Sequence, residues 1–248
     1  MNRKFELSLI GLLLFFLVPA QLLSQNHAKN WYFGKGAGLE FSRPYPMPVI
    51  GGKTNAKEGV ASISDSLGNL KFYTDGITVW NFNHDIIADG LPGHISSTMS
   101  ATILPSRINP DQYFLFTTST IVNDPDGAII PDGGHYFILD FSSSNPEGKI
   151  ISDYSTLGTG PIQNNSVEKF LGIPFPDTLV NDTLKAGYWL LTHEFDRFSF
   201  KVSQFDDHWV SDTIIDIGTG HSNGSADFGA NRGAVGYIAA TLSGDKIA

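Results

Sequence analysis

The sequence predicts an all-β protein, and three observations support this. Glycine and proline are frequent, at 26 and 13 residues, while charged residues make up only 17% of the chain, a composition suited to short strands and tight turns. From Trp31 onward, apolar and polar residues alternate with a period of two, and turn dipeptides such as Asp-Gly separate the alternating runs. No convincing run with the period of a helix interrupts this pattern.

Composition bounds the classes of function. The chain has 248 residues and 41% hydrophobic content, enough for one large domain or two small ones. Its 25 acidic residues against 16 basic ones give a formal charge of −9, which argues against a nucleic-acid partner. Cysteine is absent, and this excludes disulfides, thiol nucleophiles, cysteine-bound zinc and the lipid anchor of a lipoprotein.

Residues 1–24 are predicted to be a secretory signal peptide. The basic start MNRKFE precedes the apolar run LSLIGLLLFFLVPA, and cleavage is expected near Ala20 or Ser24. The alternative is a retained membrane anchor, but Pro19 and Gln21 shorten the run below the roughly 20 residues that span a bilayer. Residues 25–248 are therefore expected to form the mature domain, with no transmembrane segment after cleavage.

The first clear element of that domain is a hairpin at LKFYTDGITVWN, residues 70–81. An Asp-Gly pair between alternating runs favours a two-residue type I′ turn at Asp75-Gly76. That loop would pair Thr74 with Ile77 and place Tyr73 and Trp80 together on one face. Such a polar and aromatic face suits a second packing layer, as in a sheet stacked between two neighbours.

Similar strand-turn-strand units recur along the chain. Strands are predicted at 60–64, 101–105, 113–118, 188–193 and 198–204. If Ile63, Ile103, Leu190 and Ile238 mark equivalent first strands, they are spaced by 40, 87 and 48 residues. The wide gap would hold insertions at NDPDGAIIPDGG and at LGTGPIQNNSVEKFLGIPFPDTLVND.

Repeated antiparallel units of up to four strands at this spacing favour a β-propeller, in which four-stranded blades stack around an axis. Jelly-roll and immunoglobulin-like sandwiches are the alternatives. About three blades and the start of a fourth are expected in residues 25–248. The final SGDKIA is typical of the turn into the second strand of a blade, so the propeller is expected to be partial, truncated at its C-terminus.

Few residues suggest a catalytic or metal-binding role. The seven histidines show no metal-ligand spacing, and fingerprints of serine hydrolases, P-loops and dinucleotide sites are missing. Asp124, Asp126 and Asp132 share one glycine-rich loop and are a calcium candidate, although repeated Asp-Gly is more often turn chemistry. No catalytic residue and no other cofactor is predicted, and Asp75, Asp140 and Glu194 suit surface turns as well as catalysis.

Four segments carry a resemblance to a known family. They are NWYFGKGAGLEF at 30–41, ISDSLGNLKFYTDGITVWNFNH at 63–84, SSTMSATILPSRINPDQYFLFT at 96–117 and YWLLTHEFDRFSFKVS at 188–203. Together they resemble the N-terminal propeller-like (WD40-like) region of large secreted Bacteroidota proteins of the gliding-motility-associated type. In that family the region often precedes PKD domains and a sorting domain for type IX secretion, and the expected sorting segment is not found within residues 1–248.

The resemblance implies export to the cell surface or medium and a role in recognition or adhesion, without catalytic residues to carry over. The leading expectation is a non-enzymatic module that binds a protein or a glycan. One alternative is a polysaccharide hydrolase or lyase on a propeller scaffold, which acids in several first strands would favour. The other is a structural spacer in a larger surface protein.

Overall fold

The fold is all-β, as predicted, and every strand pairing is antiparallel. The structure, a computed structural model, describes residues 26–118, 121–123, 129–131, 133–153, 166–181, 183–194, 199–205, 209–216, 237–241 and 246–247. Within these ranges no helix is long and apolar enough to cross a membrane.

Sheet 1 is a three-stranded meander near the start of the described chain. Its strands are β1 (Asn30–Phe33), β2 (Lys35–Glu40) and β3 (Met47–Asn55). The β1–β2 hairpin needs glycine at two positions: Gly34 at the turn has φ +56°, and Gly36, the second residue of β2, has φ +67° and a Cβ that would lie 2.5 Å from the carbonyl oxygen of Gly52. In the segment GKGAG, only Gly34 is thus the turn, and residues 35–38 begin β2.

Sheet 2 is a four-stranded meander. Its strands are β4 (Ala61–Ser64), β5 (Leu70–Thr74), β6 (Val79–Asn81) and β7 (Ile86–Ala88). The turn after β4 is held by the Asp65 carboxylate, which accepts hydrogen bonds from the backbone N–H groups of Leu67 and Asn69, both at 2.9 Å. Such side-chain acceptors are the reason that aspartate favours turns.

The predicted pairing of the 70–81 hairpin is wrong by two residues. Thr74 pairs with Val79, not with Ile77, and Tyr73 pairs with Trp80. The loop is longer because Asp75 Oδ1 accepts hydrogen bonds from the N–H groups of Ile77 and Thr78, at 3.1 and 3.0 Å. A shift of two residues keeps every side chain on its predicted face, so Tyr73 and Trp80 still lie together.

Sheet 3 is also a four-stranded meander, with a small hairpin inserted after its second strand. Its strands are β8 (Ala101–Pro105), β9 (Gln112–Thr118), β12 (Gly134–Asp140) and β13 (Lys149–Asp153). The inserted hairpin consists of β10 (Ile121–Asn123) and β11 (Ile129–Pro131). The predicted bounds of β8 are confirmed, and the insertion lies in the segment that the sequence indicated.

Sheet 4 is the third four-stranded meander. Its strands are β14 (Ser166–Pro174), β17 (Tyr188–Glu194), β18 (Ser199–Phe205) and β19 (Trp209–Asp216). A second hairpin, β15 (Thr178–Val180) with β16 (Thr183–Lys185), projects between β14 and β17.

The assignment of Leu190 to a first strand is wrong, because β14 precedes β17 in this sheet. Strand β14 lies within the segment that the 87-residue spacing predicts to be an insertion. The charged pair Glu168-Lys169 and Gly172 interrupt its apolar pattern. Gly172 allows close packing of the neighbouring sheet: a Cβ there would lie 2.4 Å from Leu104 Cδ1, so the Leu104 side chain would have to shift. After sheet 4, Ala240 pairs with Ile247 in an isolated bridge.

The sheets pack face to face in chain order, because alternate residues of each central strand are buried on opposite sides. Four apolar clusters fill the interfaces. Representative members are Tyr32 with Tyr73 and Trp80 between sheets 1 and 2, Phe72 and Val79 with Tyr113 and Leu115 between sheets 2 and 3, Phe114 and Phe116 with Phe170 and Phe205 between sheets 3 and 4, and Leu191 with Ile238 beyond sheet 4.

The first strands lie near one another, since β4 contacts β8 and β8 contacts β14. The last strands of sheets 2 and 3, β7 and β13, also lie side by side. Within the described ranges the sheets form a stack and not a closed ring, so the propeller and its number of blades stay predictions.

Candidate binding cavities

The first strands of the sheets enclose a cavity of about 720 Å³, here called the axial cavity. Its walls come from β1, β4, β8 and β14 and from residues 237–240. The space lies where the first strands of neighbouring sheets converge, and its volume lies in the range typical of small-molecule sites.

Aromatic rings and hydroxyl groups share the lining of the axial cavity. Trp31, Phe33 and Tyr237 are 50%, 41% and 68% exposed, so they lie on its open side. Polar groups of the lining include Thr102 and Ser62, whose hydroxyl donates a 2.7 Å hydrogen bond to the carbonyl oxygen of Asn30. The described residues that line this cavity include no aspartate or glutamate.

Glu168 of β14 is a buried acid beside this lining, and the sequence reasoning missed it. Its Oε2 accepts a 2.8 Å hydrogen bond from the N–H of Thr98, a cavity-lining residue. Burial lowers the pKa of the neighbouring Lys169, and the charge of Glu168 opposes that change. In the sequence, the charged pair Glu168-Lys169 within an otherwise apolar run is the feature that could have indicated a buried acid. The fold adds that Glu168 holds the segment before β8 through its hydrogen bond with Thr98.

A second cavity, of about 620 Å³, lies at the turns between first and second strands and is here called the turn-side pocket. The β4–β5 turn contributes Asp65, the β8–β9 turn contributes Arg107 and Asp111, and Lys71 and Tyr113 come from the adjacent strands. In contrast to the axial cavity, its wall carries both signs of charge.

Tyr113 is a deeply buried polar side chain in this wall, with 3% of its surface exposed. Its ring packs edge-on against Phe72 and Phe141, with centroids 5.6 and 5.7 Å away. Burial raises the pKa of Tyr113 to about 12, and the charges of Asp65 and Asp111 add to this. In the described part of the chain, its hydroxyl has no hydrogen-bond partner.

His27 lines both cavities. Its Nδ1 lies 2.6 Å from the carbonyl oxygen of Ser64, and because a carbonyl only accepts, Nδ1 carries the proton of this bond. In the neutral ring, Nε2 is then a hydrogen-bond acceptor.

Arg107 connects the turn-side pocket to the β15–β16 hairpin. Its Nη1 donates to the carbonyl oxygens of Phe175 and Gly187, at 2.5 and 3.2 Å, and its Nη2 lies 2.5 Å from Oδ1 of Asp177. The guanidinium thus joins the β8–β9 turn to both ends of the inserted hairpin. Its donors are largely used by the fold.

The acids considered from the sequence serve turns where their side chains are described. Asp75 caps its own loop, as shown above. Asp140 Oδ2 accepts hydrogen bonds from the hydroxyl of Ser142 and the amide of Asn145, both at 2.6 Å, and these bonds lower the pKa of Asp140. The side chain of Glu194 lies outside the described set.

The calcium candidates Asp124, Asp126 and Asp132 also lie outside the described residues. Among the residues that are described, no three histidine, aspartate or glutamate side chains come together in a way that could hold a metal ion.

No protein-family model matches this chain, and neither a curated protein nor a solved structure is significantly similar to it.

Proposed function

We propose that this chain is a secreted or cell-surface, non-enzymatic recognition module that binds a glycan in its axial cavity. The observation that carries the proposal is the lining of that cavity, where Trp31, Phe33 and Tyr237 adjoin the hydroxyls of first strands. Export rests on the signal-peptide features of residues 1–24 and on the family resemblance. A surface form that begins after Ala20 or Ser24 is the expected product of cleavage, and intact Met1 in that form would contradict it.

The sheets of this module are proposed to be blades of a propeller. Their first strands converge on one cavity, while β7 and β13 meet at the outside of the stack. This radial order is what blades around an axis produce, whereas a two-layer sandwich has a single core between two sheets.

The choice of a glycan follows from the chemistry of the lining. A sugar ring presents CH groups on its faces and hydroxyls around its edge, so it needs flat apolar partners together with hydrogen-bonding groups. Partly exposed aromatic rings provide the first, and Ser62 and Thr102 of the inner strands provide the second. A folded protein ligand would need a larger and flatter contact surface than such a cavity offers.

A glycan array probed with the full chain tests the proposal. Trp31→Ala should weaken binding of any captured glycan by about tenfold or more, because stacked aromatic contacts contribute on the order of 1 kcal/mol or more. Trp189→Ala is the matched control, since Trp189 is 40% exposed and lies outside the axial lining. Equal loss in both variants, or capture of surface proteins but of no glycan, would contradict the axial site.

The same captured glycan distinguishes the remaining alternatives. A polysaccharide hydrolase or lyase would release new chain ends during incubation, and this release is measurable as reducing sugar. A spacer domain would neither bind nor cleave. Binding without release is the outcome that we expect.

A further inference from the structure

The turn-side pocket contains polar groups that the fold leaves available. Among its charged groups, Asp65 is engaged by its own turn and Arg107 by the β15–β16 hairpin. Tyr113, His27 and Asp111 also line the pocket, and no hydrogen bond within the described part of the chain engages Tyr113 Oη, His27 Nε2 or the Asp111 carboxylate. These groups lie on separate elements, and the stacking of the sheets brings them to one wall.

Tyr113 gives the clearest indication of a ligand. A phenylalanine would pack as well between Phe72 and Phe141, so packing does not explain the hydroxyl. Tyr113 Oη is not among the sealed, unpartnered side-chain atoms of the described residues, and the residue lines the pocket. Its hydroxyl is therefore open to a hydrogen-bond partner that enters the pocket, either water or a ligand that replaces it.

The remaining groups indicate the chemical class of that ligand. Tyr113 donates, His27 Nε2 and Asp111 accept, and Lys71 adds a cation whose Nζ lies 4.8 Å from the Phe141 ring centroid. An anionic ligand would face Asp65 and Asp111, and a cationic one would face Lys71 and Arg107. Mixed donors and acceptors suit neutral hydroxyls, since each hydroxyl both donates and accepts.

We propose that the turn-side pocket is a second binding site, distinct from the axial cavity, which takes a small neutral polyhydroxylated molecule such as one hexose unit. Tyr113 donates a hydrogen bond to it, and His27 Nε2 and Asp111 accept hydrogen bonds from its hydroxyls. Leu67, Pro105, Pro110 and Pro174 supply apolar surface for its CH groups. This inference does not depend on what the axial cavity binds.

The test uses glucose, galactose and mannose as probes, titrated calorimetrically into the full chain, with glucuronate and glucosamine as charged analogues. We expect at least one neutral hexose to bind and Tyr113→Phe to weaken that binding about tenfold, the effect of one lost hydrogen bond to a buried group. Thermal unfolding of the same variant should be unchanged or shifted upward, because an unpartnered hydroxyl has been removed.

Tyr73→Phe is the matched control. Tyr73 is equally buried and its pKa is also raised by burial to about 12, but its hydroxyl is bonded within the fold and lies in neither cavity. It should lose stability and keep hexose binding.

Three outcomes would overturn the proposal. The first is that none of the three hexoses binds, which would leave water as the partner of Tyr113. The second is tighter binding of a charged analogue than of every neutral hexose. The third is hexose binding that Trp31→Ala abolishes and Tyr113→Phe does not change, which would assign the hexose to the axial cavity.

Discussion

The two interfaces of sheet 2 each contain a buried tyrosine, and the two tyrosines differ in whether the hydroxyl is hydrogen-bonded within the fold. Toward sheet 1, Tyr73 stacks on Tyr32 at 4.2 Å between centroids, and its hydroxyl accepts a hydrogen bond from the N–H of Lys53 and shares another with Nδ1 of His84, at 3.2 and 2.8 Å. Toward sheet 3, Tyr113 packs against Phe72 and leaves its hydroxyl at the turn-side pocket.

The difference separates residues that hold the fold from residues that are available to a ligand. Burial raises the pKa of both phenols to about 12, so burial alone does not distinguish them. The hydrogen-bond partners do, because the Tyr73 hydroxyl is bonded within the fold and the Tyr113 hydroxyl opens to the turn-side pocket. A polar group that the fold itself does not use is a sound candidate for ligand binding.

The largest expected effect comes from Phe72, which is fully buried between sheets 2 and 3. Its ring stacks on Phe141 at 5.5 Å and meets Tyr113 edge-on. Phe72→Ala should lower the free energy of unfolding by about 3–5 kcal/mol, because it removes ring contacts and leaves a cavity. Denaturant titration at constant m-value measures the change.

Phe82→Ala is the control for this substitution, since Phe82 lies in the β6–β7 turn of the same sheet and is 40% exposed. It should change the free energy of unfolding by less than about 1 kcal/mol. Similar losses in both variants would mean that the interface between sheets 2 and 3 does not carry the stability assigned to it.

The faces of these strands could be predicted from the sequence, because alternation is a local property. Tyr73 and Trp80 lie on the predicted face although the register of their hairpin differs. That register depends on the Asp75 carboxylate, which binds two backbone N–H groups and lengthens the loop. Competition between turn types of this kind is decided by side-chain hydrogen bonds and not by the dipeptide alone.

The candidate sites could not be predicted in the same way, because their residues meet only in the folded chain. Strand β14 was missed since its buried acid, Glu168, finds its partner at Thr98, far away in sequence. Likewise, nothing local marks Tyr113 as different from Tyr73. Their different hydrogen bonding depends on Lys53, on His84 and on the turns that surround the pocket.

The next expected effect tests this difference between the two tyrosines directly. Tyr73→Phe should lower the free energy of unfolding by about 1–2 kcal/mol, because the N–H of Lys53 and Nδ1 of His84 both lose their partner. Tyr113→Phe should change it by less than about 0.5 kcal/mol or increase it. A loss for Tyr113→Phe as large as that for Tyr73→Phe would show that its hydroxyl is satisfied within the fold.

The smallest expected effect is a dependence of stability on alkaline pH. The phenols of Tyr73 and Tyr113 have a pKa of about 12 in the folded chain, against an ordinary value of 10.0. Between these values the unfolded chain releases these protons and the folded chain keeps them, so stability falls as pH rises. At pH 10.5, ionisation of each phenol in the unfolded chain should lower the free energy of unfolding by slightly less than ~1 kcal/mol.

Unfolding free energies measured from pH 8 to about pH 11 for the wild type and the two phenylalanine variants would reveal this dependence. Each variant should lose its own share of the alkaline slope, whereas Phe82→Ala should keep all of it. The two interfaces therefore predict equal contributions at alkaline pH and unequal ones at neutral pH, because the first depends on burial alone and the second on hydrogen-bond partners. A slope that disappears in one phenylalanine variant and is unchanged in the other would mean that the two hydroxyls are not equally buried.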